Sequence, residues 1–170
     1  MSWPTLEPHV FGGLFLPPRY IPNADDAAKR QPNDQRIAAA YAHCATLTKT
    51  HSKSFFLSTQ LLPTHKREAI RVLYAFCRTS DDLVDLNPEN AALRLERWRE
   101  TLAKTPAHDD FVPRAWFDVR RRFALISALE ADLLAGVEMD LSINRYETFA
   151  DLWLYCYRVA AVVGLLSMQI

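Results

Sequence analysis

The chain has 170 residues, 49% hydrophobic, with equal numbers of acidic and basic side chains and a formal net charge of zero. That is enough chain for one ordinary domain with a real core. The balanced charge gives no electrostatic reason for a nucleic-acid partner, and the short basic run Arg120-Arg121-Arg122 reads as a solvated helix face.

Residues 1–33 hold six of the ten prolines together with Gly12-Gly13, so they read as an extended arm rather than a helix or domain. The arm's apolar residues, Val10-Phe11 and Leu14-Phe15-Leu16, leave two roles open: lying on the body, or touching a membrane surface. No basic stretch followed by a continuous apolar run marks a secretory signal. Residues 34–170 read as the helical domain. A first helix starts near Asn33 or Asp34, both fit caps, and runs through Ile37, Tyr41, Cys44 and Leu47 toward His51. From His51 to Leu62 serines and threonines break the pattern.

A central helix follows from Thr64, opened after Pro63, to Asp85. Asn87 and Pro88 close it and open the next helix, as cap and first residue, with Ala91, Leu95, Trp98 and Leu102 on one face. After a loop at Thr105–Asp110, helix resumes from Pro113 to Leu141 in two pieces around Phe123. The second piece aligns Ile126, Leu129, Leu133, Val137 and Asp140. Asn144 to Glu147 connects to a last helix, begun by a capping box of Thr148 and Asp151. Residues 152–170 are long enough to span a bilayer, but Arg158 inside the run favours a helix buried all round in a helical protein. No alternating strand pattern, repeat or glycine-rich phosphate loop occurs, so the chain is all-α. Cys44, Cys77 and Cys156 are odd in number and lack metal-ligand spacing, which reads as buried reduced thiols of a cytosolic protein.

The chemistry concentrates at the end of the central helix. At about 100° per residue, Tyr74, Arg78, Asp81 and Asp85 form one stripe, and Leu73, Cys77, Ser80 and Val84 form the apolar stripe beside it. Asp82 stands further round, four residues from Arg78. Carboxylates crowded at a helix C-terminus oppose the macrodipole. Such a cluster is either a solvated acidic end or a site for a hard divalent cation, which takes oxygen ligands and shares them with substrate phosphates. Arg78 presents a planar fork suited to a phosphate oxygen.

Four blocks in order resemble the squalene/phytoene synthase family, the head-to-head prenyl transferases, nearest in look to phytoene and dehydrosqualene synthases. They are His51-Ser52-Lys53-Ser54-Phe55-Phe56-Leu57 with Leu62-Pro63; Tyr74 to Asp85; Leu134 to Leu141; and Tyr155 to Gly164. The resemblance implies an isoprenoid-synthase-type helical bundle. Asp81 and Asp85 match its first aspartate-rich motif, which holds Mg²⁺ (or Mn²⁺) bridged to substrate diphosphate. Arg78 matches a diphosphate-contacting arginine. His51, Ser52 and Phe55 match the loop at the mouth of the site, and Tyr74 and Tyr155 match tyrosines facing the reaction centre. The implied reaction joins two prenyl diphosphates, foremost two geranylgeranyl diphosphates to phytoene in carotenoid biosynthesis. A squalene or dehydrosqualene synthase using farnesyl diphosphate is the variant, with NADPH needed only on the squalene branch. The implied location is cytoplasmic, with peripheral membrane contact left open.

Two departures stand out. The family's Ala-Gly-Thr-Val-Gly is Ala160-Ala161-Val162-Val163-Gly164 here, which removes a close-approach glycine and a hydroxyl. The family's second aspartate-rich motif lies downstream of Ile170, so the C-terminal side of the bundle, half the metal site and much of the tunnel wall are expected from a missing C-terminal half or a partner chain. The alternative is a catalytically incomplete helical protein that binds prenyl lipid or a partner. A di-iron bundle is a poor fit, because no glutamate is followed three residues on by histidine.

Overall fold

The computed structural model describes residues 32–85, 89–106, 110–143 and 145–170, and among them there is helix and turn but no strand. Of the arm expected at 1–33, residues 1–31 lie outside the described residues, as does the cap assigned to Asn87 and Pro88, while Pro32 and Asn33 belong to the first helix. In chain order the helices are α1 (Pro32–His51), α2 (Lys53–Ser58), α3 (Thr64–Asp85), α4 (Ala91–Ala103), α5 (Phe111–Arg122), α6 (Ser127–Met139), α7 (Phe149–Cys156) and α8 (Val162–Gln169). A 3₁₀ turn, Thr59–Leu61, follows α2, and a π-turn, Tyr157–Ala161, joins α7 to α8.

Helices α1, α3 and α5 pack on one another at the centre, and α3 also meets α4, α6 and α8. Helix α3 takes that position because its apolar stripe is continuous: Val72, Leu73, Ala75, Phe76, Ser80 and Val84 are all buried. Phe76 and Trp116, both fully buried, stack with ring centroids 4.3 Å apart and planes 2° from parallel. The polar edges of this aromatic core are satisfied. Trp116 Nε1 donates to Glu130 Oε2 at 2.6 Å, Arg120 Nη1 pairs with Glu130 Oε1 at 2.9 Å, and Trp98 Nε1 donates to Ser80 Oγ at 2.9 Å. Tyr41 donates to Asp118 at 2.7 Å and fastens α1 to α5.

Several boundaries differ from the sequence expectation. Helix α1 begins at Pro32, where a missing N–H costs nothing. The region from His51 to Leu61 is mostly helical: only Ser52 leaves the helical conformation (φ −147°) before Leu62 turns extended, so α2 is an almost unbroken sequel to α1. Helix α4 begins after Asn90, which adopts a left-handed conformation (φ 61°) that asparagine tolerates. The break between α5 and α6 falls where expected. Phe123 ends α5, Ala124 is left-handed (φ 49°), and Leu125 N–H reaches back to the Arg120 carbonyl at 3.0 Å, a Schellman closure with alanine in the glycine position. The capping box at Thr148 is present, with the Thr148 hydroxyl oxygen accepting from Asp151 N–H at 3.1 Å.

The last helix, read as buried all round within a larger helical protein, is covered on one side only by the described residues. In α7 no residue is buried, and in α8 only Val162 and Leu166 are; Phe149, Leu152, Leu154 and Met168 stand open. The cause is a shortage of neighbours, since α6 and α3 cover one side only. The stretch Phe149–Gln169 has the length and mean hydropathy (1.5) of a membrane-crossing helix, although Arg158 sits within it. Cys156 is exposed on it and Cys77 half-buried, so only Cys44 matches the expectation of a buried thiol. The chain on its own is expected to self-associate at micromolar concentration through this face; sedimentation velocity giving a single monomeric species would contradict that.

Candidate active site at the acidic end of the central helix

Helix α3 delivers its polar stripe to one side of the bundle. Tyr74 and Arg78 are half-buried along its flank, while Asp81 and Asp85 are exposed at its end. Phe55 from α2 stacks on Tyr74 with centroids 5.2 Å apart. Asp140, which follows α6, and Tyr155, on α7, close the other side. The Tyr155 hydroxyl lies near the Asp140 carboxylate, and its ring lies 5.2 Å from that of Tyr146. The structure therefore gathers Tyr74 with Phe55, and Tyr155 with Asp140, around the stripe carrying Arg78, Asp81 and Asp85. Helix α1 ends at an exposed His51, and Ser52 links it to α2 without capping it through its side chain. These two residues belong to a helix–kink–helix, not to the loop that the resemblance implied.

The electrostatics of the cluster are those of an unneutralised acidic site. The Asp81 carboxyl is pushed up to about 6, first by the protein crowded around it, then by Asp85, with Asp140 and Asp82 adding and Arg78 opposing. One side of Asp81 still meets water, which screens part of this repulsion. Burial and then Asp140 raise the Tyr155 phenol to about 12, so it remains a proton donor at neutral pH. Arg78 Nη2 approaches Asp82 Oδ1 at 2.6 Å, but off the hydrogen-bond axis. Arg78 Nε and Asp82 Oδ1 both remain buried without a hydrogen-bond partner. A buried donor left so costs about 1–3 kcal/mol, which an anionic ligand oxygen would recover.

As for metal, no group of three or more His, Cys, Asp or Glu side chains among the described residues is arranged to enclose an ion. The donors present are hard oxygens, Asp81 and Asp85, while Asp82 is turned to Arg78. Such a pair fits Mg²⁺ in the manner that cation favours, with few protein carboxylates and the remaining positions filled by water and phosphate.

One residue that positions the site escaped the sequence reading. Arg71 on α3 is only 8% exposed; its Nε donates to Thr59 Oγ1 at 3.0 Å and its Nη2 to the Phe56 carbonyl at 3.2 Å. Its guanidinium lies 3.8 Å over the Phe56 ring. Arg71 thus sews α2 and the 3₁₀ turn onto α3 and holds Phe55 against Tyr74. The available signal was an arginine inside the otherwise apolar run Ala69-Ile70-Arg71-Val72-Leu73. Tyr146, in the connection before α7, carried no such signal.

Residues 48–170 match the squalene/phytoene synthase family. The chain belongs to that family. It is 42% identical over 135 residues to a phytoene synthase of Arthrospira platensis, covering 77% of this chain and 44% of that protein. It is 38% identical to the 15-cis-phytoene synthase of Synechocystis sp. across 99% of this chain and 49% of that one. Its fold superposes on a solved dehydrosqualene synthase, crystallised in complex with ligand, with TM-score 0.72 and 34% identity, over 81% of this chain and 49% of that chain. The all-α fold of this family member is thus of the isoprenoid-synthase type, and the chain spans about half the length of the relatives it matches.

Proposed function

We propose that this chain is the diphosphate-binding N-terminal half of a prenyl transferase that condenses two prenyl diphosphates head to head, two geranylgeranyl diphosphates to phytoene. The observation that carries the reading is the open acidic end of α3, where an elevated Asp81 carboxyl and an orphaned Arg78 Nε stand on one stripe. In this reading Asp81 and Asp85 hold Mg²⁺ (or Mn²⁺). The cation, when bound, neutralises the departing diphosphate. Arg78 supplies a fork to its oxygens. The stacked faces of Phe55 and Tyr74, with Tyr155 opposite, favour the allylic cation that remains. The apolar inner face of α7 and α8 serves as a wall for the prenyl tail, and an apolar product of this kind suits a cytoplasmic enzyme working against a membrane surface. The dehydrosqualene synthase likeness favours a second reading, with farnesyl diphosphate as substrate; NADPH enters only on the squalene branch.

The test is titration calorimetry of the 170-residue chain with inorganic pyrophosphate, with and without Mg²⁺. Binding is expected only with the metal. It should weaken as pH falls through about 6, because protons then compete for Asp81. The sign for stability is opposite: a carboxyl raised above its ordinary value favours the folded state when protonated, and that contribution is lost as pH rises through about 6. Metal-independent binding would remove the metal assignment, and no binding at all would remove the diphosphate reading. Synthase turnover by this chain alone is expected to be negligible, since one carboxylate pair serves a reaction with two diphosphates.

A further inference from the structure

Helix α6 packs against the π-turn and α8, and Gly136 lies directly against the π-turn. A Cβ built there would lie 2.8 Å from Arg158 Cβ, 2.8 Å from Val159 Cγ1 and 3.3 Å from the Arg158 carbonyl carbon. The Arg158 Cβ and carbonyl carbon are fixed by the backbone and cannot swing aside. The contact falls within the π-turn Tyr157–Ala161, and one helical turn along α6 from Gly136 stands Asp140, opposite Tyr155. Arg158 Nη1 also reaches Met139 Sδ at 3.5 Å. At this point in the interface there is room for a glycine and not for a side chain.

The π-turn decides which way Tyr155 faces. In an unbroken α-helix Tyr155, Val162 and Leu166 would share one stripe, spaced seven and eleven residues apart. Val162 and Leu166 are fully buried in the core, whereas Tyr155 is half-buried against Tyr146. The one extra residue in a π-turn rotates the helix before it by about 100° relative to the helix after it. That turns Tyr155 off the core stripe while leaving α8 docked.

We propose that Gly136 and the π-turn form a register lock that aims Tyr155 away from the core and onto Tyr146 and Asp140 at the acidic end of α3. Gly136 is a positioning residue; its consequence for catalysis rests on the placement of Tyr155 at the reaction centre proposed above. The glycine of the last block does not share this role, because a Cβ at Gly164 meets nothing within 4 Å.

The test is nuclear Overhauser contact between the Tyr146 and Tyr155 rings in the full 170-residue chain labelled with ¹³C-tyrosine, assigned with single Tyr→Phe variants. Gly136→Ala is expected to abolish the contact, and Gly164→Ala to keep it. Deletion of the exposed Ala160 restores α-helical phase; it is expected to abolish the contact while Val162 and Leu166 stay protected from hydrogen exchange. If Gly136→Ala does not fold, the deletion alone decides. Retained ring contacts in the folded variants would overturn the lock. Turnover is measured separately in an enzyme of full family length containing this chain. Lost contacts with unimpaired turnover would support the lock and instead overturn the role of Tyr155 at the reaction centre.

Discussion

Asp81→Asn and Asp85→Asn are each expected to lower turnover by about 10²–10³-fold, the range for losing one preorganised electrostatic contact, in an enzyme of full family length containing this chain. Asparagine keeps the size of aspartate and its fit at the helix end, but offers a neutral oxygen to a hard cation. Folding stability should hold level or rise. Both carboxylates lie in the last turns of α3, where the macrodipole disfavours negative charge by about 0.3–1 kcal/mol at exposed positions. Asp81 adds its own repulsion from Asp85, Asp140 and Asp82. Arg78→Lys should also reduce turnover, since a point charge cannot reproduce the fork. Turnover and melting temperature measured on the same preparations separate the readings. Wild-type turnover in both aspartate variants would end the metal-site assignment, and a collapse in melting temperature would make the stripe a structural element.

The largest expected loss of stability comes from the stack at the centre of the bundle. Trp116→Ala or Phe76→Ala removes one of two fully buried rings in near-parallel contact at 4.3 Å. Each is expected to cost about 3–5 kcal/mol, because the surrounding helices cannot collapse into the space. In a chain of this length that corresponds to a fall in melting temperature of roughly 6–20 °C. Trp116→Ala should be the worse of the two, since it also takes from Glu130 the indole N–H that Trp116 donates at 2.6 Å. Phe149→Ala supplies the contrast. That ring is 68% exposed, so its loss should change stability by no more than about 0.5 kcal/mol in the monomer. Denaturant unfolding measures all three, and similar losses in all of them would place the core elsewhere.

The sequence by itself determined the elements whose signal is local. Helix α3 runs from Thr64 to Asp85 as its periodicity requires, and Thr148 with Asp151 caps α7, because spacing and cap chemistry act within a few residues. The stripe of Tyr74, Arg78, Asp81 and Asp85 was legible for the same reason: helical phase alone puts those side chains on one face. Across from the stripe, Tyr155 was legible only through the family resemblance, and Asp140 and Tyr146 were not. Asp140 read as one more position on the core stripe of α6, yet it stands exposed after the end of that helix, facing Tyr155. The role of the buried Arg71 went unread, because its partners, Thr59 and the Phe56 carbonyl, come from a segment that the serines and threonines marked as irregular. Most telling is α7–α8, whose apolar run gives no sign of an interruption in the helix. Only the tertiary structure places a π-turn at Tyr157–Ala161, where a Cβ on Gly136 would run into Arg158 and Val159. Periodicity reports the phase within one helix; which residues face each other across two helices depends on register and close approach, and those are properties of the pair.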